Sequence, residues 1–286
     1  MISGIAALDT LDTLDMTHSV RRFRVSTLKK SLTKPRCLCY NFSMLLYYIL
    51  YYGTFIIIVP GLILAIIAQI AIKVNYKRYS KVDAKSGWTA EEMSEMFAER
   101  YDMNGVTVQP IKGDLTDNYN PSTDVLSLSE SVYGKSSVAA LGVAAHECGH
   151  AAQQHSGSIL LRLRTILVPV TNIGSKLAVP VAVVGLIISW LATNSDAGWY
   201  VVCVGIALYS LATIFALITL PVEFNASHRG LKMLREQAVL DNGELKKARK
   251  VLTCAALTYV ASFIVTFLYL LRFIVIMAGL SGKKRK

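Results

Sequence analysis

His146-Glu147-Cys148-Gly149-His150 is an H-E-x-x-H sequence. On a helix, residues four apart share a face, so both imidazoles can bind one metal ion while Glu147, beside them, holds the proton of an activated water. The preceding residues supply the helix: Ser136-Ser137 is an N-cap signal, and Val138 to Ala145 is a run of small apolar residues that permits close packing. Zn²⁺ suits the pair, because it prefers borderline nitrogen donors and in catalytic sites takes three protein ligands plus an open water position.

A third ligand is required. The metzincin pattern needs Gly and His where this chain has Gln153 and Ser156, which excludes that class. His155, five residues after His150, is rotated off the shared face and reads as a polar residue at the helix end. Glu223, in Leu220-Pro-Val-Glu-Phe-Asn-Ala-Ser227, is the better candidate: a carboxylate at the end of an apolar span is costly unless solvated or paired, and a bound cation is one such partner. With His146, His150 and Glu223 holding zinc and Glu147 as general base, the chemistry is metal-assisted hydrolysis of a peptide bond. His228 and Arg229, just beyond Glu223, are candidate donors to the oxyanion, although basic residues there equally serve as solvated charges or lipid contacts.

The elements that must position these residues are dictated by composition. Of 286 residues, 53% are hydrophobic and only 17% charged, with net charge +11; mean hydropathy is +0.44. Such a chain buries itself in lipid, and its dispersed Lys and Arg point to membrane orientation rather than nucleic acid. Five cysteines without repeated spacing give no disulfide framework. Four stretches reach the roughly 20 residues a crossing requires. We divide the chain accordingly: 1–43, an unstructured or mis-started tail with Met44 as an alternative start; 44–72, the first transmembrane helix; 73–165, a metalloprotease segment carrying H-E-x-x-H; 166–221, a transmembrane hairpin of the second and third helices; 222–250, the third-ligand helix and a polar connection; and 251–286, the fourth transmembrane helix with a basic tail. The tight turn around Asn194–Gly198 returns the chain to the side it left, so 73–165 and 222–250 share one membrane face. Lys and Arg concentrate in those two segments, leaning them cytoplasmic.

Residues 73–165 read as a small α/β insertion. Thr89 with Glu92 has capping-box spacing, and Met93, Met96 and Phe97 repeat at helical intervals. Val106–Val108 and Val125–Leu128 are β-type runs, expected as a hairpin or a pair of edge strands, with the turn formers Asp117, Asn118, Asn120 and Pro121 between them. The second run could take an extended substrate by strand addition.

Residues 144–153, Pro221–Ser227, Asp117–Pro121 and Lys250–Ala261 together resemble the YugP-type neutral zinc metallopeptidases of bacterial membranes over roughly residues 46 to 280. The resemblance implies a mainly α, polytopic membrane protein with about four transmembrane helices and a small zincin-like α/β metalloprotease insertion between the first and second. It implies a Zn²⁺-dependent, gluzincin-like metalloendopeptidase, a hydrolase acting on a peptide or membrane-protein substrate at the lipid bilayer of a bacterial cell. Glu223-x-x-Ala226 is similar to the third-ligand helix of the HtpX and CAAX-protease group, where an Asp follows the Ala; here Ser227 stands there. Asn118 and Asn225 occupy positions where the family frequently carries His and Asp. The alternative is a non-proteolytic membrane scaffold or transport protein with a structural metal site.

Overall fold

A computed structural model describes residues 52–191 and 196–281. The expectations for residues 1–43, for the start of the first span, for Asn194 and Ser195 of the turn and for residues 282–286 of the basic tail lie outside the described residues. The chain divides into two compact units, Met1–Thr54 and Phe55–Lys286, and the second holds the long helices, the sheet and the candidate metal ligands.

Among the described residues the order is α1 (Val59–Tyr79), α2 (Ala90–Arg100), β1 (Thr107–Ile111), β2 (Asn118–Asn120), β3 (Val125–Ser129), α3 (Val138–His155), α4 (Ile159–Leu191), α5 (Ala197–Glu236) and α6 (Asn242–Ser281). The protein is mainly helical. Four helical stretches are long and apolar enough to cross a membrane: Thr54–Tyr79, Ile159–Ser189, Ala197–Glu236 and Asn242–Met277. Ile63, Ile66, Ile67 and Ile70 on α1 and Val183, Val184 and Ile187 on α4 are exposed, as lipid-facing side chains should be.

Three of these helices run well past their apolar cores. α4 starts at Ile159, just after Ser158, whose Oγ accepts the Leu161 N–H at 3.5 Å, and its first turns are continuous with the span rather than with the polar segment. α5 passes through Pro221 unbroken. A proline in a membrane helix is tolerated because neighbouring helices satisfy the freed carbonyl, so the third span and the Glu223 helix are one rod. α6 begins at Asn242, capped by Asp241, whose Oδ1 accepts the Glu244 N–H at 2.8 Å while Glu244 Oε2 accepts the Asp241 N–H at 2.9 Å.

The polar elements between α1 and α4 form as their local signals require. Thr89 Oγ1 accepts the Glu92 N–H and Glu92 Oε2 accepts the Thr89 N–H, a closed capping box at the start of α2. The sheet corrects the hairpin expectation. Its order is β1-β3-β2, with β1 parallel to β3 and β2 antiparallel to it, Tyr119 opposite Leu126. Residues that read as turn formers, Asn118 to Asn120, are the third strand, because Tyr119 buries its ring while the flanking asparagines stay exposed. β3 is therefore central, with both edges taken, and strand addition at Val125–Leu128 is excluded. The outer strands are β1, which packs on α2, and β2, which packs on α3.

The core of this half packs Met93 and Phe97 of α2, Leu126 and Leu128 of β3, and Leu141 of α3 against Leu234 of α5 and Val251 of α6. Its tightest point is the crossing of α3 and α5. A Cβ on Gly149 would lie 2.2 Å from the Ala226 carbonyl oxygen, and one on Gly230 would lie 2.3 Å from that of Ala145. Backbone meets backbone there, which only glycine permits. Small residues likewise join α4 to α5, where a Cβ on Gly185 would reach Val202 N at 2.6 Å.

Gly230→Ala should overpack this crossing by about 1–3 kcal/mol and lower the melting temperature of detergent-purified protein by roughly 2–10 °C. An unchanged melting temperature would mean that the two helices separate at no cost.

Candidate metal centre

α3 carries His146 and His150 one turn apart, their rings meeting edge to face with centroids 4.8 Å apart. α5 carries Glu223 one turn before Ala226, which is pressed onto Gly149, so the close crossing delivers the carboxyl to the imidazoles. Glu223 Oε2 lies 3.2 Å from His146 Nε2 and 3.7 Å from His150 Nε2. The donor atoms of all three residues lie within 4.8 Å of one another.

The two separations from Glu223 Oε2, 3.2 and 3.7 Å, bracket the edge of a zinc tetrahedron, while the widest in the group, up to 4.8 Å, must close for all three to share one ion. Ligand bonds of about 2.1 Å require donor atoms about 3.4 Å apart along each edge of the tetrahedron. Glu223 is only 1% exposed, and its Oε1 has no hydrogen-bond donor. Arg164 Nη2 approaches Oε1 to 3.1 Å, as an ion pair lacking the alignment of a hydrogen bond. A buried carboxylate so placed needs a cation, and the two Nε2 atoms beside it are the borderline donors that zinc takes together with an oxygen.

Each imidazole is steered through its other nitrogen. His146 Nδ1 lies 3.0 Å from Ser227 Oγ, and His150 Nδ1 lies 3.0 Å from Gln153 Oε1. The amide oxygen of Gln153 can only accept, so His150 donates from Nδ1 and its Nε2 lone pair is left for the metal. Gln153 is held in turn, donating from Nε2 to the Val222 carbonyl at 2.8 Å and to Asn225 Oδ1 at 3.0 Å. The orienting contacts of α3 thus come from the turn of α5 that bears Glu223.

Glu147 is buried on the same helix, and among the described residues no donor reaches its carboxyl. Burial pushes its pKa up to about 7, with the nearby Glu223 charge adding to the rise and His146 opposing it. It can therefore exchange a proton near neutral pH. Cys148, between the two motif halves, is different: burial lifts its thiol to about 12, leaving it a small packed hydrophobe.

Beside His150 a cleft of about 230 Å³ opens between the Tyr119–Ser122 segment and Leu161, Arg164, Thr165 and Val168 of α4. One wall is the exposed edge of β2 and its turn; the other is the first turns of a membrane-spanning helix. Asp117 braces this edge by accepting the Ser129 N–H at 2.7 Å, and Asp124 joins the Tyr119 hydroxyl to His155 Nε2.

The remaining polar residues are engaged elsewhere. His155 pairs with Asp124 at 3.2 Å and not with the metal group. Arg229 donates to Asn225 Oδ1 at 2.9 Å and to the Ala152 carbonyl at 3.3 Å, tying α5 to the end of α3. His228 lines a different cleft, between α5 and α6. Asn118 donates to the Thr116 carbonyl. Sequence reasoning missed Gln153 and Arg164. Gln153 had a signal, a polar side chain one turn past His150 on the face that carries both imidazoles; Arg164 had none, being assigned to a polar segment rather than to a span that folds back over the site.

A bundle of membrane-crossing helices around a buried His, His, Glu group defines a membrane protein built to hold a metal ion. The family described as "Putative neutral zinc metallopeptidase" matches residues 54–278, and the chain belongs to it; its cofactor is zinc. It is similar to the "Putative membrane protease YugP" of Bacillus subtilis (strain 168), with 40% identity over 209 residues, 73% of this chain and 89% of that protein. No solved structure matches the chain.

Gln153→Met, which keeps the length of the side chain and removes the acceptor for His150, should weaken zinc binding about 10- to 100-fold in competition with a chelating dye. Wild-type affinity with this variant would show that His150 needs no orienting partner.

Proposed function

We propose that the protein is a membrane-bound zinc endopeptidase of the gluzincin kind, with His146, His150 and Glu223 as metal ligands and Glu147 as general base. The observation that carries this reading is the convergence of the two Nε2 atoms on Glu223 Oε2 at 3.2 and 3.7 Å. Zinc supplies Lewis-acid polarisation of the scissile carbonyl and acidifies the attacking water. The chain's own groups do the rest. Glu147, its pKa pushed up by burial to about 7, accepts the water proton on its carboxylate and returns it to the departing amine. Arg164 balances the Glu223 charge and keeps its carboxyl turned to the imidazoles.

The substrate backbone lies in the cleft beside His150, paired with the free edge of β2, since a strand edge offers unpaired N–H and C=O groups to an extended chain. Because α4 forms the opposite wall where it enters the apolar span, the preferred substrate is a peptide or membrane protein presented at the bilayer surface. The excess of Lys and Arg in 73–165 and 222–250 supports a cytoplasmic active site in a bacterial cell membrane.

Detergent-purified wild type should hold about one zinc per chain and cleave casein. Glu147→Gln should keep the zinc and lose at least about 100-fold in hydrolysis. Glu223→Gln should lose both, its affinity falling further than the roughly 10- to 100-fold expected of an orienting residue. Zinc without cleavage in the wild type would overturn the peptidase reading in favour of a scaffold, and zinc loss on Glu147→Gln would make that residue structural.

A further inference from the structure

On the other side of α5 from Gln153, a second and larger cleft of about 620 Å³ lies between α5 and α6. His228, Lys232 and Arg235 line it from α5 and Arg249 from α6, and all four are exposed. One acid, Glu236, faces them, and it is shared between Lys232 at 3.6 Å and the Tyr101 hydroxyl at 2.8 Å. The side chains of His228, Arg235 and Arg249 have no hydrogen bond or ion pair among the described residues. Three permanent cations around one concavity, with one acid between them, leave an uncompensated positive field that an anion would relieve.

The cleft also has a depth. Its lower wall is Phe224, 50% exposed on the lipid-facing side of α5, and Leu231 continues the apolar side upward. The apolar run of α6 begins at Val251, two residues after Arg249. At 1.5 Å per residue, His228 stands about 6 Å and Lys232 about 12 Å above Phe224. His228 thus stands within the about 5–8 Å that head groups add to each side of the core, and Lys232 and Arg235, about 12 and 16 Å up, can reach back to it because helical side chains lean toward the helix N-terminus, here toward Phe224. Basic pockets between membrane helices recognise anionic head groups in this way.

We propose that the α5–α6 cleft binds the phosphate head group of an anionic phospholipid, with Arg235, Arg249 and Lys232 on the phosphate and Phe224 against the first acyl carbons. The phosphate could equally come from solution; the apolar wall, which a free ion leaves uncovered, commits the site to the lipid. Ser227, the partner of His146 Nδ1, lines the same cleft, so the site backs directly onto the metal centre. Lipid binding there does not depend on peptidase activity.

The test uses the full chain in neutral detergent, titrated with dioleoyl phosphatidylglycerol or dioleoyl phosphatidylcholine and read by native mass spectrometry and thermal unfolding. Phosphatidylglycerol should bind saturably and raise the melting temperature, and phosphatidylcholine should not. Arg235→Gln and Arg249→Gln should each weaken the anionic lipid about fivefold, and the double variant about 25-fold. Arg249→Lys should stay within about twofold of wild type, and Lys246→Gln, outside the cleft, should have no effect. Equal binding of the two lipids overturns the proposal on the wild type alone, whatever the variants do. Equal loss from Lys246→Gln also overturns it, as does displacement of phosphatidylglycerol by millimolar inorganic phosphate or by a poly-glutamate peptide.

Discussion

The whole arrangement depends on the contact between the backbones of α3 and α5. Two helices with ordinary side chains at their crossing stand 8–10 Å apart; with Gly149 against Ala226 and Gly230 against Ala145, nothing but main chain separates them. The distance from Glu223 to the two imidazoles is set by that approach rather than by the side chains themselves. One glycine of the pair lies inside the H-E-x-x-H sequence, so the same five residues supply the two candidate imidazole ligands and the surface against which the Glu223 turn is docked.

Rigidity follows from continuity. Glu223 is carried on a helix that runs unbroken from Ala197 to Glu236, so its height relative to the membrane is fixed by the apolar turns below it. The turn after Glu223 bears Asn225 and Ser227, which hold Gln153 and His146. A rotation of α5 by even a fraction of a turn would withdraw the carboxylate and both orienting contacts together. Ligand geometry and the orientation of the imidazoles are thus one structural variable, and the burial of Ala144, Ala145 and Ala226 at the same crossing resists its change.

The legible part of the sequence was the part in which local chemistry decides structure. Thr89 with Glu92 and Ser137 before an apolar run announced helix starts, and the long apolar runs announced membrane helices, because capping and hydrophobic length are local properties. The sheet was misjudged because Asn118 and Asn120 have turn chemistry while Tyr119 between them has a burial requirement, and only tertiary packing shows which prevails. The boundary drawn between 221 and 222 separates what the structure joins in one helix, because the cost of Pro221 is offset by neighbouring helices that no local window contains. Arg164 was invisible to any reading of spacing, since it meets Glu223 through the fold-back of α4 across the site.

The placement of Arg164 bears on how a buried carboxylate and a metal can share one site. Glu223 needs positive charge whether or not zinc is present, and among the described residues only Arg164, His146 and His150 bring a basic nitrogen within 4 Å of it. Arg164 occupies Oε1, whereas both imidazoles face Oε2, so the carboxylate is divided between a permanent cation and the donor pair. A guanidinium stays charged at any pH the protein meets, so Oε1 faces a permanent cation whether or not a metal is bound. Arg164 therefore offsets part of the cost of burying Glu223, and Oε2, facing the imidazoles, is left for the ion. Arg164 also borders the cleft beside His150, where it is 27% exposed. The group that neutralises the ligand is thus in a position to feel what enters the cleft, and on the proposed reading an approaching substrate carbonyl meets that positive charge from the α4 side while the strand edge of β2 holds its backbone.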